Sequence, residues 1–434
     1  MSKTYGFETL SIHAGAGPDP TTGARALPIY QTTAYAFDNA DHAAALFNLQ
    51  TVGFIYSRLT NPTNAALETR LATLEGGRGC TVASSGHAAQ VLALFPLMTP
   101  GDDIVASSRL YGGSLQQMRN TYPKFGWKAH IVDADTPDNF KRALTDRTKA
   151  FFIESLANPG GVISDIEAIA RIADDAGVPL VVDNTLATPW LCKPIEHGAT
   201  LIIHSTTKFL SGTGTSMGGA IVDSGKFDWA VKGREGGGKF PSLAGPEPAY
   251  HGLNFFETFG DMAYTFHSHA VGLRDLGPSQ APMNAWLTML GIETLGLRME
   301  RHCANALKVA QYLEKHPAVA WVNYAGLPSN KYHALAKKYL PKGAGSIFTF
   351  GVKGGYQVGM KVVDSVDLFS HLANIGDAKS LIIHPASTTH RQLSDEQRVA
   401  AGAGPDVIRL SIGIETADDI IADLEQALEK ATGA

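Results

Sequence analysis

The segment 178–185, VPLVVDNT, and its follower 200–208, TLIIHSTTK, decide how this chain is read. Each opens on a short apolar run and closes on polar residues. Runs that are apolar throughout, without alternation, suit strands buried on both faces of a parallel sheet. In such sheets ligands gather at the carboxyl ends of the strands. Asp183 ends the first strand and Lys208 lies just past the second, 25 residues on, so an acid and a lysine can reach one site.

Outward from this pair the pattern repeats. TVAS (81–84) leads into GHAAQVLALFPLM, DIVAS (103–107) follows a Pro-Gly turn, and KAHIVD (128–133) precedes the helix-like PDNFKRAL. KAFFIES (149–155) precedes DIEAIARIADDAG, and GGAIVD (218–223) follows the lysine segment. Short strands, each near a helix, predict an α/β architecture with a large, mostly parallel sheet. Residues 233–252, GREGGGKFPSLAGPEPAYHG, read as a long loop, and a long helical stretch is expected from Met283 to Lys315. WVNY, GSIFTFGV, a helix near 356–374, VIRLSIG and a final amphipathic helix then predict a smaller α+β unit. Residues 1–62 read as an extended arm with one short helix near DHAAALFNL. Tyr30, Tyr35, Phe37, Phe54 and Tyr56 are aromatics that a disordered tail would usually lack. The expected division is an arm (1–62), a large domain (63–280) and a C-terminal domain (281–434). No internal repeat or low-complexity tract interrupts it.

The chain has 434 residues, of which 44% are hydrophobic and only 18% charged. That charge fraction is below the roughly 25% of ordinary soluble domains, so other subunits are expected to cover part of the surface. The net charge of −5 offers no basic excess for nucleic acid. Three scattered cysteines, Cys80, Cys192 and Cys303, form no disulfide framework, and with no signal-like start they point to the cytoplasm. No apolar run approaches the roughly 20 residues needed to span a bilayer, so no membrane partner is expected. Fifteen histidines show no metal-ligand spacing, and HSH (267–269) reads as a turn or interface feature.

The acid and lysine could serve pyridoxal 5′-phosphate (PLP), the acid holding a pyridine nitrogen and the lysine forming a Schiff base. From spacing alone, a buried Asp–Lys ion pair reads the same. Other pieces bear on the choice. Ser205, Thr206 and Thr207 place three hydroxyls before the lysine. SSGHAA (84–89) joins a strand to a helix whose first amides suit a phosphate, or simply caps that helix. YSR places Tyr56 and Arg58 in the arm, where an Arg is a phosphate fork or a solvated charge. Tyr111 in RLYGGS could stack on a ring or lie in the core. Asn158 and Pro159 follow a strand end. Arg409 sits inside the apolar VIRLSIG and needs an internal acid or a substrate carboxylate.

In order, YSR, SSG, YGG, NP, DNT, STTK and RLSIG resemble the Cys/Met-metabolism family of fold-type-I PLP enzymes, across nearly the whole chain. Within it, SGHAAQ (85–90), the Gly/Pro loop ending PAYHGLNF, HLANIGDAKSLIIHPASTTH (371–390) and the overall length look like the O-acetylhomoserine sulfhydrylase branch. The resemblance implies the PLP-dependent transferase fold and a transferase replacing the acetate of O-acetyl-L-homoserine by sulfide to give homocysteine. Lys208 would carry the cofactor and shuttle protons. Asp183 would pair with the pyridinium nitrogen, and Thr185 would join it at the cofactor. Tyr111 would stack on the ring, and Asn158 would contact its 3-oxygen. Ser85, the Gly86 and His87 amides, and the Ser205 and Thr207 hydroxyls would hold the phosphate. Tyr56 and Arg58 would reach a neighbouring subunit's phosphate in a homotetramer built from dimers. Arg409, with Asn374, would bind the substrate carboxylate. Thr213 and Gly113 depart from the patterns GH and YGC of other members, and Asn374 stands where many lyases have Ser. Cystathionine γ-synthase, O-succinylhomoserine sulfhydrylase and methionine γ-lyase use the same residues. An inactive PLP-fold binding protein is the alternative from another class.

Overall fold

The computed structural model describes residues 5–159, 161–233, 238–389 and 402–433, with 391, 396 and 398 besides. Its larger sheet has seven strands: β1 (Gly79–Ala83), β2 (Asp103–Ser107), β3 (Lys128–Val132), β4 (Thr148–Glu154), β5 (Leu180–Asp183), β6 (Leu201–His204) and β7 (Gly219–Asp223). Their order is β1-β7-β6-β5-β4-β2-β3. The run from β3 to β6 is parallel throughout, and β7 is antiparallel to both β6 and β1. Every strand expected from an apolar run is therefore present, with bounds shifted by a residue or two.

Successive side chains of one strand feed two cores. Phe151 and Ile153 pack with Ile166 and Ile169 on one face, whereas Ala150 and Phe152 pack with Leu92 and Trp229 on the other. Each fully buried aromatic contributes roughly 1.5–3 kcal/mol. Because both faces are apolar, chemistry is confined to the strand ends.

The helices begin where their caps dictate. In α1 (Phe7–His13) and α2 (Ala40–Phe47) the arm carries two helices rather than the one expected. The first is held tertiarily, since Arg70 donates to the Ile12 and Ala14 carbonyls at its end, each at 2.8 Å. The helix α3 (Pro62–Glu75) starts at Asn61, whose side chain accepts the Thr63 and Asn64 amides, and stops at left-handed Gly76. In α4 (Gly86–Leu94), Ser85 accepts the Ala88 amide at 3.1 Å.

The smaller sheet contains β8 (Val319–Asn323), β9 (Ile347–Val352), β10 (Ser370–His371), β11 (Leu381–Ile383) and β12 (Val407–Ser411), ordered β8-β9-β12-β11-β10. Two expectations in this half need correction. The stretch from Met283 breaks into helices Pro282–Glu293 and Leu295–Lys315. The Arg298 guanidinium takes the Gly291 carbonyl at 2.6 Å and the Thr294 hydroxyl at 3.2 Å, replacing the helical bonds lost there. The helix near 356–374 spans only Gly355–Asp364. Asp423, from the final helix Ala417–Thr432, accepts the amides of Asp367, Leu368 and Phe369 at 2.8–3.0 Å and holds the chain in a bend there. The Gly/Pro loop carries short helices at Pro241–Ala244 and Pro248–Tyr250. Its residues 234–237, and the last residue of 371–390, lie outside the described residues. Among the described residues no helix is long and apolar enough to cross a membrane.

Candidate active site

Chain segments far apart in sequence meet at the carboxyl ends of β2, β4, β5 and β6. Asp183 ends β5, only 9% exposed. Its carboxylate accepts the Thr185 hydroxyl at 2.5 Å, the Thr185 amide at 3.0 Å and Gln90 Nε2 at 3.3 Å. Burial pushes its pKa up, and the Thr185 hydroxyl, the Thr185 amide, His204 and Gln90 pull it back. The Thr185 hydroxyl also accepts the Ser205 amide at 2.8 Å, which ties the acid to the loop that presents the lysine.

That loop leaves β6 and turns at once, the Lys208 amide reaching the Ser205 carbonyl at 3.2 Å. Lys208 Nζ donates to Asn374 Oδ1 at 2.6 Å. Burial, and then the charge of Arg409, hold the lysine below its ordinary pKa. Arg409 projects from β12, donating to Asn158 Oδ1 at 3.3 Å and to the Asn374 carbonyl at 3.2 Å. Burial lowers its pKa to about 10. Lys208, Asn374, Arg409 and Asn158 thus form one hydrogen-bonded chain between the two sheets, and no acidic side chain partners Arg409 among the described residues.

The opposite wall is the start of α4. With Ser85 capping Ala88 and the Ser85 carbonyl accepting the Ala89 amide at 3.0 Å, the Gly86 and His87 amides have no acceptor among the described residues. They form the positive end of a helix dipole, suited to an anion. A Cβ at Gly86 would stand 2.7 Å from Ser205 Cβ, so only glycine lets the two loops close together here. The Thr207 hydroxyl lies across Gly218, donating to its carbonyl at 3.2 Å and accepting its amide at 3.1 Å. His87 and Tyr111 rings stand 5.8 Å apart at the mouth. Burial lowers the His87 pKa, partly offset by Asp183. A Cβ at Gly113 would fall 2.4 Å from the Tyr111 ring and 2.8 Å from that of His87, so a cysteine there would displace both. Thr213 turns away, its hydroxyl 2.8 Å from that of Thr215.

Tyr56 and Arg58 lie in the arm with the guanidinium 5.5 Å from the tyrosine ring. No hydrogen bond among the described residues joins either side chain to the other candidates.

Two neighbours escaped the sequence reading. Gln90, one turn into α4, reaches Asp183. Glu154 ends β4, paired in register with Asp183, and accepts the Tyr111 amide at 2.6 Å and the Asn158 amide at 3.0 Å. A carboxylate closing an apolar strand is the signal that singled out Asp183, and KAFFIES carries it too.

A buried acid and a lysine of lowered pKa at the ends of paired strands, with free helix-terminal amides nearby, suit an anionic cofactor with a basic ring. The model of the Cys/Met metabolism PLP-dependent enzymes matches residues 8–429, and the chain belongs to that family. It is 50% identical to an O-acetyl-L-homoserine sulfhydrylase of Leptospira meyeri, over 99% of this chain and 98% of that protein. It is 49% identical to a homocysteine synthase of Schizosaccharomyces pombe, over 98% of both. A Campylobacter jejuni crystal structure, named as an O-acetylhomoserine (thiol)-lyase and carrying N′-pyridoxyl-lysine-5′-monophosphate, superimposes with a TM-score of 0.94 at 45% identity. That match covers 98% of this chain and 100% of the other. The residues present suit PLP: Asp183 matches a protonated ring nitrogen, and the Gly86–Ser205 cradle matches a phosphate.

Proposed function

We propose that the chain is an O-acetyl-L-homoserine sulfhydrylase, which replaces the acetate of O-acetyl-L-homoserine by sulfide and yields homocysteine for methionine biosynthesis. The near-full-length identity to named sulfhydrylases carries the reading, and the Lys208–Asn374–Arg409–Asn158 chain supports it.

When bound, PLP supplies an electron-accepting ring conjugated to the substrate's α-nitrogen. The protein's own residues do the rest. Asp183 keeps the ring nitrogen protonated. The Tyr111 ring covers one face and Asn158 contacts the 3-oxygen. Ser85, the Gly86 and His87 amides, and the Ser205 and Thr207 hydroxyls hold the phosphate. Arg409 binds the α-carboxylate, with Asn374 beside it, and so fixes Cα next to Lys208. Lys208, biased toward its neutral form by burial, would move the Cα proton onto the bound cofactor and, neutral again, take one from Cβ. The Cγ–oxygen bond breaks and acetate leaves with its electron pair. Hydrosulfide forms the new Cγ–sulfur bond, and Lys208 returns protons to Cβ and Cα.

The division at residues 62 and 280 belongs to this reading. So does a cytoplasmic tetramer in which Tyr56 and Arg58 complete a neighbour's phosphate site, a reading supported by the lack, among the described residues, of any hydrogen bond from either side chain to their own chain's cluster. A substrate panel tests the function: O-acetyl- against O-succinylhomoserine, and sulfide against cysteine and methanethiol, with the product identified. Homocysteine and acetate from the acetyl ester and sulfide are expected. A strong preference for the succinyl ester or for cysteine moves the assignment to a sister enzyme.

A further inference from the structure

Glu154 is 3% exposed and has no counter-ion among the described residues, yet it stands at the carboxyl end of β4 beside Asp183. Neighbouring parallel strands lie about 4.8 Å apart, and residues paired in register point to the same face. Two acids so placed repel each other, and burial opposes charge on both. Burial and then Asp183 push the Glu154 pKa up, while the Tyr111 and Asn158 amides pull it down. Such an arrangement needs a reason.

The two hydrogen bonds give one. Oε1 accepts the Tyr111 amide at 2.6 Å and Oε2 accepts the Asn158 amide at 3.0 Å. The first amide belongs to the loop after β2, the second to the turn after β4. Those are the two segments whose side chains, in the function proposed above, cover the ring and contact its 3-oxygen. Tyr111 itself is 47% exposed. Asn158 feeds onward through Oδ1 to Arg409. One carboxylate therefore sets the backbone origin of both cofactor contacts, at a fixed distance from Asp183.

We propose that Glu154 is a positioning residue of the cofactor site, its carboxylate clamping the Tyr111 and Asn158 backbones so that ring cover and 3-oxygen contact register with Asp183. The geometry requires two acceptor oxygens. Glutamine offers one acceptor and turns an N–H₂ group toward the other amide. Aspartate is one methylene too short to span both.

The proposal rests on the cofactor roles of Tyr111 and Asn158, and the experiment separates the two. The apoprotein of Glu154→Gln, Glu154→Asp, Tyr111→Ala, Asn158→Ala and Ser164→Ala is titrated with PLP, and the visible circular dichroism of each loaded protein is recorded. Ser164 donates to the Glu154 carbonyl at 2.8 Å without touching the carboxylate, so its variant controls for disturbance of the strand end. Glu154→Gln is expected to bind PLP at least tenfold more weakly with altered dichroism, Glu154→Asp to lie between it and wild type, and Ser164→Ala to match wild type. If the Tyr111 and Asn158 variants bind PLP normally, the cofactor roles fail. If they weaken it while both Glu154 variants match wild type in affinity and dichroism, the clamp alone is wrong. Should Glu154→Gln not fold, Glu154→Asp still decides, because wild-type affinity and dichroism in it overturn the proposal.

Discussion

Lys208 Nζ donates to Asn374 Oδ1 at 2.6 Å, joining a loop of the large sheet to one of the small sheet across 166 residues of chain. The amine is aimed by a neutral acceptor, so it can lose its proton without breaking an ion pair. Asn374→Ala is expected to lower kcat about tenfold, the equivalent of roughly 1.4 kcal/mol for one hydrogen bond to a charged group. Steady-state kinetics at saturating PLP check this, and an unchanged kcat would refute it. Lys208→Ala abolishes turnover and the visible absorbance of the bound cofactor.

Asp183 has its pKa raised in the folded protein, chiefly by burial. A raised carboxyl stabilises the fold below its unfolded pKa, and that stability is lost as pH climbs through the folded value. Urea denaturation of the cofactor-free protein should therefore show stability falling from the ordinary carboxylate range upward. In Asp183→Asn that slope should flatten, while kcat of the loaded enzyme drops about a hundredfold or more.

Thr185 supplies the largest counterweight, its hydroxyl donating to Asp183 at 2.5 Å. Removing it in Thr185→Ala lets the Asp183 pKa rise further. The acid limb of the kcat/KM profile should then move to higher pH. A profile coincident with wild type would show that Asp183 does not set that limb.

Among the described residues Arg409 meets two neutral oxygens, from Asn158 and Asn374, and is buried enough to depress its pKa to about 10. Such a cation is ready for a carboxylate. Arg409→Ala should raise KM for O-acetylhomoserine by about a hundredfold, near 3 kcal/mol for a charge-assisted pair, and leave sulfide dependence untouched. Equal loss for both substrates would assign Arg409 a structural role.

Arg298 takes the Phe209 carbonyl at 2.8 Å and the Gly291 carbonyl at 2.6 Å, so it supports both the helix break and the residue after Lys208. Arg298→Met removes the donor to the buried Phe209 carbonyl, whereas Gly291 keeps the Thr294 amide and hydroxyl, each at 3.3 Å, and a loss of about 1–3 kcal/mol in urea denaturation is expected.

The strands of the large sheet were legible because their signal is local: apolar runs of the right length between turn residues. The Asp183 and Lys208 positions followed from the same runs, since a strand end and a loop are defined by where apolarity stops. The helix ends near Thr294 and Asp364 were not legible: the Arg298 side chain folds back across the first onto Gly291 and Thr294, and Asp423 of the final helix takes the amides that follow the second. Glu154 could have been noticed at its strand end, but nothing local shows that its two oxygens receive amides from different loops.

By itself the sequence determined the layered α/β arrangement and the acid and lysine at its strand ends, because burial on both faces of a sheet leaves polar chemistry nowhere else to stand. Only the tertiary structure decided which side chains meet there. The reach of Arg409 to Asn158 and of Asn374 to Lys208 depends on how one sheet packs against the other, and that of Glu154 to two loops on the pairing of β2 with β4. The order of residues along a strand does not encode that packing.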